Sequence, residues 1–366
     1  MSDETLASTL AHLERLVAFD TRNPPRAISG EGGIIDYLHN ALTAAGLVCE
    51  VVDLGEGCVY LLATRGAPSL LINVHIDTVP ADPGWTVDPH RLVVADGRAT
   101  GLGACDIKGA AACLLAVIGE TSGPAALLFS SDEEAGSSRC VRHFIEQRTF
   151  DDVLVAEPTR CAAVAEHRGI GAATLFFNGI GGHASAARAL RDSAVHEAVR
   201  WASRALEHAA ASEDVGSGAL RGLRLNLGAI EGGVKANMIA ATANIRLGVR
   251  PPPEVPPPLA LEQLLELAPD LSRVRLAPGF SAPPLPACGA AKLADARKAS
   301  AELAARLGLT IGPPVDFWTE AALFSAAGAN ALVFGPGDIA QAHTAGEYVA
   351  LTDLVTAAAA YRRVLS

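Results

Sequence analysis

Leu70-Leu71-Ile72-Asn73-Val74-His75-Ile76-Asp77 is the stretch on which the reading of this chain turns. A short, mostly apolar run follows the turn residues Pro68-Ser69 and ends in a His-x-Asp pair, as a buried strand running into a loop would. The pattern recurs. Ala126–Phe129 leads into Ser130-Ser131-Asp132-Glu133-Glu134, and Val153–Ala156 into Glu157-Pro158. Ala331–Phe334 leads into Gly335-Pro336-Gly337-Asp338 and then Ala342-His343-Thr344. Helical stretches such as Gly109–Ile118 and Cys140–Gln147 lie between these runs. Strands alternating with helices predict an α/β sheet covered on both faces.

Working outward, Leu6, Leu10, Leu13, Leu16 and Val17 predict a first helix over 6–19, stopped by Asn23-Pro24-Pro25. A second helix is expected over 33–45, and strands over 48–52 and 60–64. The style changes after Arg168. Thr174–Asn178, Leu223–Leu227 and Ala243–Val249 read as strands of a separate unit, the last alternating like a sheet with one solvated face. Helices are expected over 192–210 and 261–267, and the proline runs at 251–253 and 256–258 as a rigid loop. From Phe280 the α/β style returns, with helices over 291–307 and 352–364. The layout is one α/β domain, 1–166 and 280–366, interrupted by an inserted domain, 167–279.

Composition narrows the function. Among 366 residues, 29 Lys+Arg stand against 40 Asp+Glu, a net charge of −11. That balance disfavours nucleic acid as a partner. No apolar run is long enough to span a membrane, and the acidic start Met1-Ser2-Asp3-Glu4 is unlike a signal peptide. Seven Cys without a C-x-x-C pair read as free thiols. A cytoplasmic location is expected. No Gly-x-Ser-x-Gly, Gly-x-x-x-x-Gly-Lys-[Ser/Thr] or Gly-x-Gly-x-x-Gly occurs, which disfavours serine hydrolase and nucleotide-binding readings.

The His and acidic residues after the strands carry the chemistry. His75, Glu157, His343 and one of Glu133 or Glu134 sit where open α/β sheets bind ligands. Asp106, in Gly101-Leu102-Gly103-Ala104-Cys105-Asp106-Ile107-Lys108-Gly109, precedes a helix. Singly, each has an ordinary explanation: a surface pair, a solvated acidic loop, a helix cap. Jointly, four strand ends bearing His or carboxylate point to cations, because clustered acids repel unless neutralised. Two neutral His and three carboxylates sum to −3, which two divalent ions and one hydroxide balance. Mixed His and carboxylate ligation suits zinc, with cobalt or manganese as alternatives. Of the neighbours Glu133 and Glu134, one can ligate and the other serve as a general base.

With His75-x-Asp77, the Gly-x-Gly-x-x-Asp106-x-Lys-Gly element, Glu133-Glu134, Glu157-Pro158-Thr159 and His343 in this order, the chain resembles the M20 family of metallopeptidases and deacylases. The resemblance implies a di-metal exopeptidase-like catalytic domain and an inserted ferredoxin-like α+β lid and dimerisation domain, hence a homodimer. It implies that His75, Asp106 and Glu157 hold one metal, that Asp106 bridges to a second held with Glu134 and His343, and that Zn2+ or Co2+ serves. Asp77 would orient His75, and Glu133 would be the base. His183, in Gly182-His183-Ala184-Ser185, would stabilise the oxyanion in the partner subunit's site. Asn237 and Arg250 would contact substrate, Arg250 through the carboxylate. Three segments, Phe19–Arg26, Val315–Ala321 and Gly335–Thr344, direct the expected substrate to N-acetyl-L-citrulline in arginine biosynthesis, with N-acetyl-L-ornithine or another N-acyl amino acid as the alternative. Glu320 and Asp338 lie in those segments, and Glu320 is a candidate substrate contact. Ala156 before Glu157, Met238-Ile239-Ala240 after Asn237, and Gly346 depart from the family pattern without removing a ligand.

Overall fold

The computed structural model describes residues 3–25 and 28–366. Met1, Ser2 and Arg26, named above, lie outside the described residues. The chain divides into two compact units. The first runs to Ala165 and resumes over Asp295–Pro313 and Thr319–Ser366, and the second comprises Glu166–Ala294 and Pro314–Trp318.

The first unit is built on a six-stranded sheet, ordered Val48–Asp53, Val59–Arg65, Ala125–Ser130, Leu70–His75, Asp152–Val155, Asn330–Val333. The last four are mutually parallel, so their carboxyl ends share one edge of the sheet. The central strands are apolar without alternation because both of their faces are buried. Helix Gly33–Ala44 buries Ile34, Leu38 and Leu42 at four-residue spacing, and Gly46, with φ 82°, follows its end. Helix Gly109–Ile118 is apolar on every side and buried along its whole length, packed against Asp3–Ala18 and Leu351–Val364.

The second unit follows the order strand, helix, strand, strand, helix, strand: Ile170–Asn178, Ala194–Ala211, Arg224–Gly232, Thr242–Arg250, Pro257–Glu266, Val274–Ala282. All its strand pairs are antiparallel, and the sheet order is 224–232, 242–250, 170–178, 274–282. This is the ferredoxin-like arrangement. Leu175, Phe177, Ile245 and Leu247 face Ala198, Trp201 and Leu264, while alternate positions such as Asn244 and Arg246 are more exposed. The indole N–H of Trp201 donates to Leu264 O at 2.7 Å, which satisfies the polar atom of a fully buried ring.

Two expectations need correction. The prolines at 256–258 are not all loop: Pro257 and Pro258 begin the helix Pro257–Glu266, where a fixed φ and missing N–H cost nothing. The inserted unit also does not end at 279. Strand Val274–Ala282 crosses that position and completes the second sheet. Pro278 and Gly279 hid it from a pattern reading; both are tolerated because the strand is at an edge and its register shifts between Pro278 and Ser281. Segment Pro314–Trp318 belongs to this unit too, since Asp316 pairs with the buried Arg168 and the Trp318 indole donates to Pro283 O.

Candidate metal centre

Parallel pairing of four strands delivers the His and acidic residues of the first unit to one edge of the sheet. His75 ends its strand, and Glu157 lies two residues beyond Val155. Glu133 and Glu134 follow Ser130, and Asp106 sits in the turn before helix Gly109–Ile118. Two glycines permit the close approach. Gly103 has φ 77°, and a Cβ there would meet the Thr78 side chain at 2.6 Å. A Cβ on Gly335 would meet Glu157 O at 2.6 Å.

Two groups of ligating atoms result, each spanning no more than 4.8 Å: His75 with Asp106 and Glu157, and Asp106 with Glu134 and His343. Asp106 is common to both. Its Oδ1 lies 3.0 Å from His75 Nε2, and its Oδ2 lies 3.4 Å from His343 Nε2. Glu157 Oε1 is 3.9 Å from His75 Nε2, and Glu134 Oε1 is 2.9 Å from His343 Nε2. His343 adopts φ 60°, a left-handed conformation uncommon for a side-chain-bearing residue, at the site itself.

Asp77 connects the two groups from behind. His75 Nδ1 lies 3.1 Å from the Asp77 carbonyl oxygen, which can only accept, so Nδ1 carries a proton and Nε2 is turned toward Asp106 and Glu157, where it donates to Asp106 Oδ1 when protonated and would offer its lone pair to a cation. The Asp77 carboxylate accepts the backbone N–H of Glu133 at 3.3 Å and of Glu134 at 3.0 Å. Glu133 belongs to neither ligand group.

The donor set fits a pair of divalent cations. Burial pushes Glu157 and Glu133 well above the usual carboxylate range, with neighbouring acids adding to the effect. Burial also works against ionised Asp106, but hydrogen bonds from His343 and His75 outweigh it and hold its carboxyl low. Hydrogen bonds to Asp106 and Glu134 push His343 up to about 10. Protons thus neutralise this cluster when nothing else does, and cations bound by the same oxygen and nitrogen atoms would replace them.

Several residues that the sequence reading did not single out support these side chains. Asn73 is two residues from His75, hence on the same strand face, and donates to Glu320 Oε2 at 2.9 Å. A polar residue inside an apolar strand was its available signal. Ser130 Oγ reaches the same oxygen at 3.0 Å. Asn23 donates to Ser131 O at 3.0 Å. Glu320 is therefore buried and tied down through Oε2. Asp338 pairs with Arg160 and accepts the Ala340 N–H.

The remaining sequence candidates lie in the second unit. His183 pairs with Met238 in a two-stranded ribbon, and Ala184 N donates to Asn237 O at 3.1 Å, so His183 and Asn237 are neighbours. His183 is exposed, and its Nδ1 accepts the backbone N–H of Ser185 at 3.3 Å. Nδ1 also lies 2.8 Å from Ser185 Oγ, and Nε2 has no partner among the described residues. Arg250 ends strand Thr242–Arg250 half-buried, and its guanidinium makes no hydrogen bond among the described residues.

A family model described as peptidase family M20/M25/M40 matches residues 71–366. The chain belongs to this family. As a member it is a hydrolase acting on amides. It is 49% identical over 364 residues, covering 99% of each chain, to N-acetyl-L-citrulline deacetylase of Xanthomonas campestris pv. campestris. It is 34% identical over 388 residues, covering 100% of this chain and 98% of the other, to acetylornithine deacetylase of Myxococcus xanthus. The fold resembles aminopeptidase PepT of Bacillus cereus, with TM-score 0.77, 17% identity and 98% of each chain covered. It also resembles an M20 family metallo-carboxypeptidase of Sulfolobus solfataricus, with TM-score 0.73, 17% identity, and 100% and 99% coverage. Among the described residues no helix is long and apolar enough to cross a membrane.

Proposed function

We propose that this family member removes the acetyl group from N-acetyl-L-citrulline. The observation that carries the hydrolytic part is Asp106 shared between two His and carboxylate triads, with Glu133 left outside both. Bound there, two divalent ions, zinc foremost and cobalt next, would supply Lewis acidity to the amide carbonyl and to water. Glu133 takes the proton of the attacking water and returns it to the leaving amine. His183 Nε2–H donates to the developing oxyanion. Arg250, with an uncommitted guanidinium, holds the substrate carboxylate, and Asn237 helps position the substrate.

The second unit is the lid and the dimer contact in this reading, and the protein works in the cytoplasm. Helix Ala194–Ala211 exposes Val199 and Leu206, and the edge strand Arg224–Gly232 exposes Ile230, an apolar surface suited to a second copy. His183 then serves the site of the partner subunit.

The neutral ureido group of acetylcitrulline is favoured over the ammonium of acetylornithine on two grounds. One is the identity to the Xanthomonas deacetylase. The other is that both acids near the site by sequence have partners: Glu320 with Asn73 and Ser130, Asp338 with Arg160. The test is amine release from the two acetylated amino acids side by side, with zinc or cobalt added. A higher kcat/KM for acetylcitrulline is expected. A preference for acetylornithine would keep the chemistry and overturn the substrate assignment.

A further inference from the structure

Glu347 lies four residues after His343, at the end of a turn and directly before strand Tyr348–Ala350. It is 1% exposed. That strand pairs with Arg98–Thr100, and Gly101 N donates to Glu347 O at 3.0 Å, so the residue is fixed beside the loop that follows. The Glu347 carboxylate accepts three backbone N–H groups of the loop. Oε2 takes Gly103 at 3.0 Å, and Oε1 takes both Cys105 and Asp106 at 2.9 Å. Asp106 is the residue shared by both ligand groups.

A loop that aims three N–H groups at one point is an anion site, and here the anion is part of the chain. One short segment, 343–347, thus contributes His343 to the second ligand group and fixes the backbone of the ligand between the groups. We infer that Glu347 is a positioning residue for the metal pair, holding Asp106 so that Oδ1 faces the His75 group and Oδ2 the His343 group. This rests on the two-metal reading above. Hydrogen bonds behind a ligand commonly set metal affinity within a factor of about 10–100. Because Asp106 serves both groups, loosening it weakens both.

Glu347→Gln replaces an accepting oxygen with an NH2 group that cannot accept the loop N–H groups. The test strips the full-length protein with a chelator and titrates cobalt into wild type and variant, following the visible d–d absorption and the stoichiometry. Circular dichroism checks that both are folded. Weakening of cobalt binding by roughly tenfold or more, with an altered absorption envelope, is expected. A folded Glu347→Gln protein with wild-type affinity and spectrum would overturn the assignment. If Glu347→Gln does not fold, Glu347→Asp keeps the charge but falls short of the three donors. Weakened cobalt binding in it supports the role, and unchanged binding overturns it. Loss of folding in both variants would make Glu347 a determinant of the fold and also overturn it. Failure of wild type itself to take up cobalt would sink the two-metal reading instead, which separates the two failures.

Discussion

The two units treat polar residues in opposite ways. In the first, the sheet is buried on both faces, and its polar residues at the strand ends are crowded against one another: Asp77, Asp106 and Glu157 are all at most 6% exposed. In the second, one face of an antiparallel sheet is open, and His183 and Asn237 lie exposed, outside both ligand groups. Crowded, buried acids need a cation or a proton, so their chemistry is written into the fold. Exposed groups on an open sheet need nothing, and their chemistry waits for a substrate or a partner. Substitutions in the first unit should therefore act on chemistry or metal within one chain, and substitutions in the second should be rescued by a second chain.

Glu133→Gln should give the largest effect, a fall in kcat of roughly 10^2–10^4 with both metals retained, measured by initial rates and by metal content. Loss of one metal equivalent would make Glu133 a ligand and break the division between Glu133 and Glu134. His183→Ala should lower kcat by on the order of 10^2–10^3 with metal content unchanged. Mixing it with the Glu133→Gln protein sharpens the comparison. After random re-pairing half of the dimers are mixed, and one of two sites in each has both residues intact, so about a quarter of wild-type activity returns. No recovery would confine each site to a single chain.

The first unit was largely legible because its signals are local. Leu70–Val74, Val153–Ala156 and Ala331–Phe334 are short apolar runs, and each ends near a residue that the fold brings to the common edge. What was not legible is the back of the site. Glu347 reaches the Asp106 loop from 241 residues away, and Glu320 reaches Asn73 from 247 residues away. No periodicity encodes such a pairing. The second unit was harder. Its fourth strand contains Pro278 and Gly279, which mark an edge strand only once the neighbour is known. His183 sits between Gly182 and Ala184, where composition argues for a turn, and only the family resemblance singled it out.

The smallest effect concerns Glu320, and it bears on how far the first unit relies on protons. Burial pushes its carboxyl up from an ordinary 4.5 to about 7, with Asp132 adding to the effect. Oε2 accepts from Asn73 and Ser130, while Oε1 is buried without a partner among the described residues, an arrangement that suits a proton better than a charge. Between pH 4.5 and 7 the folded chain then holds a proton that the unfolded chain has released. The sign follows: this stabilisation is complete below 4.5 and is lost as pH rises through about 7. Its full size is at most about 3 kcal/mol. Urea unfolding of chelated wild type and Glu320→Gln across this range measures it. The wild-type curve should fall with pH relative to the variant curve, because Gln keeps an acceptor for Asn73 and carries no titrating group. Parallel curves would mean that Glu320 is ionised at ordinary pH even when buried. It would then be an available counter-charge for an ammonium, and the case for a neutral ureido substrate would rest on sequence identity alone.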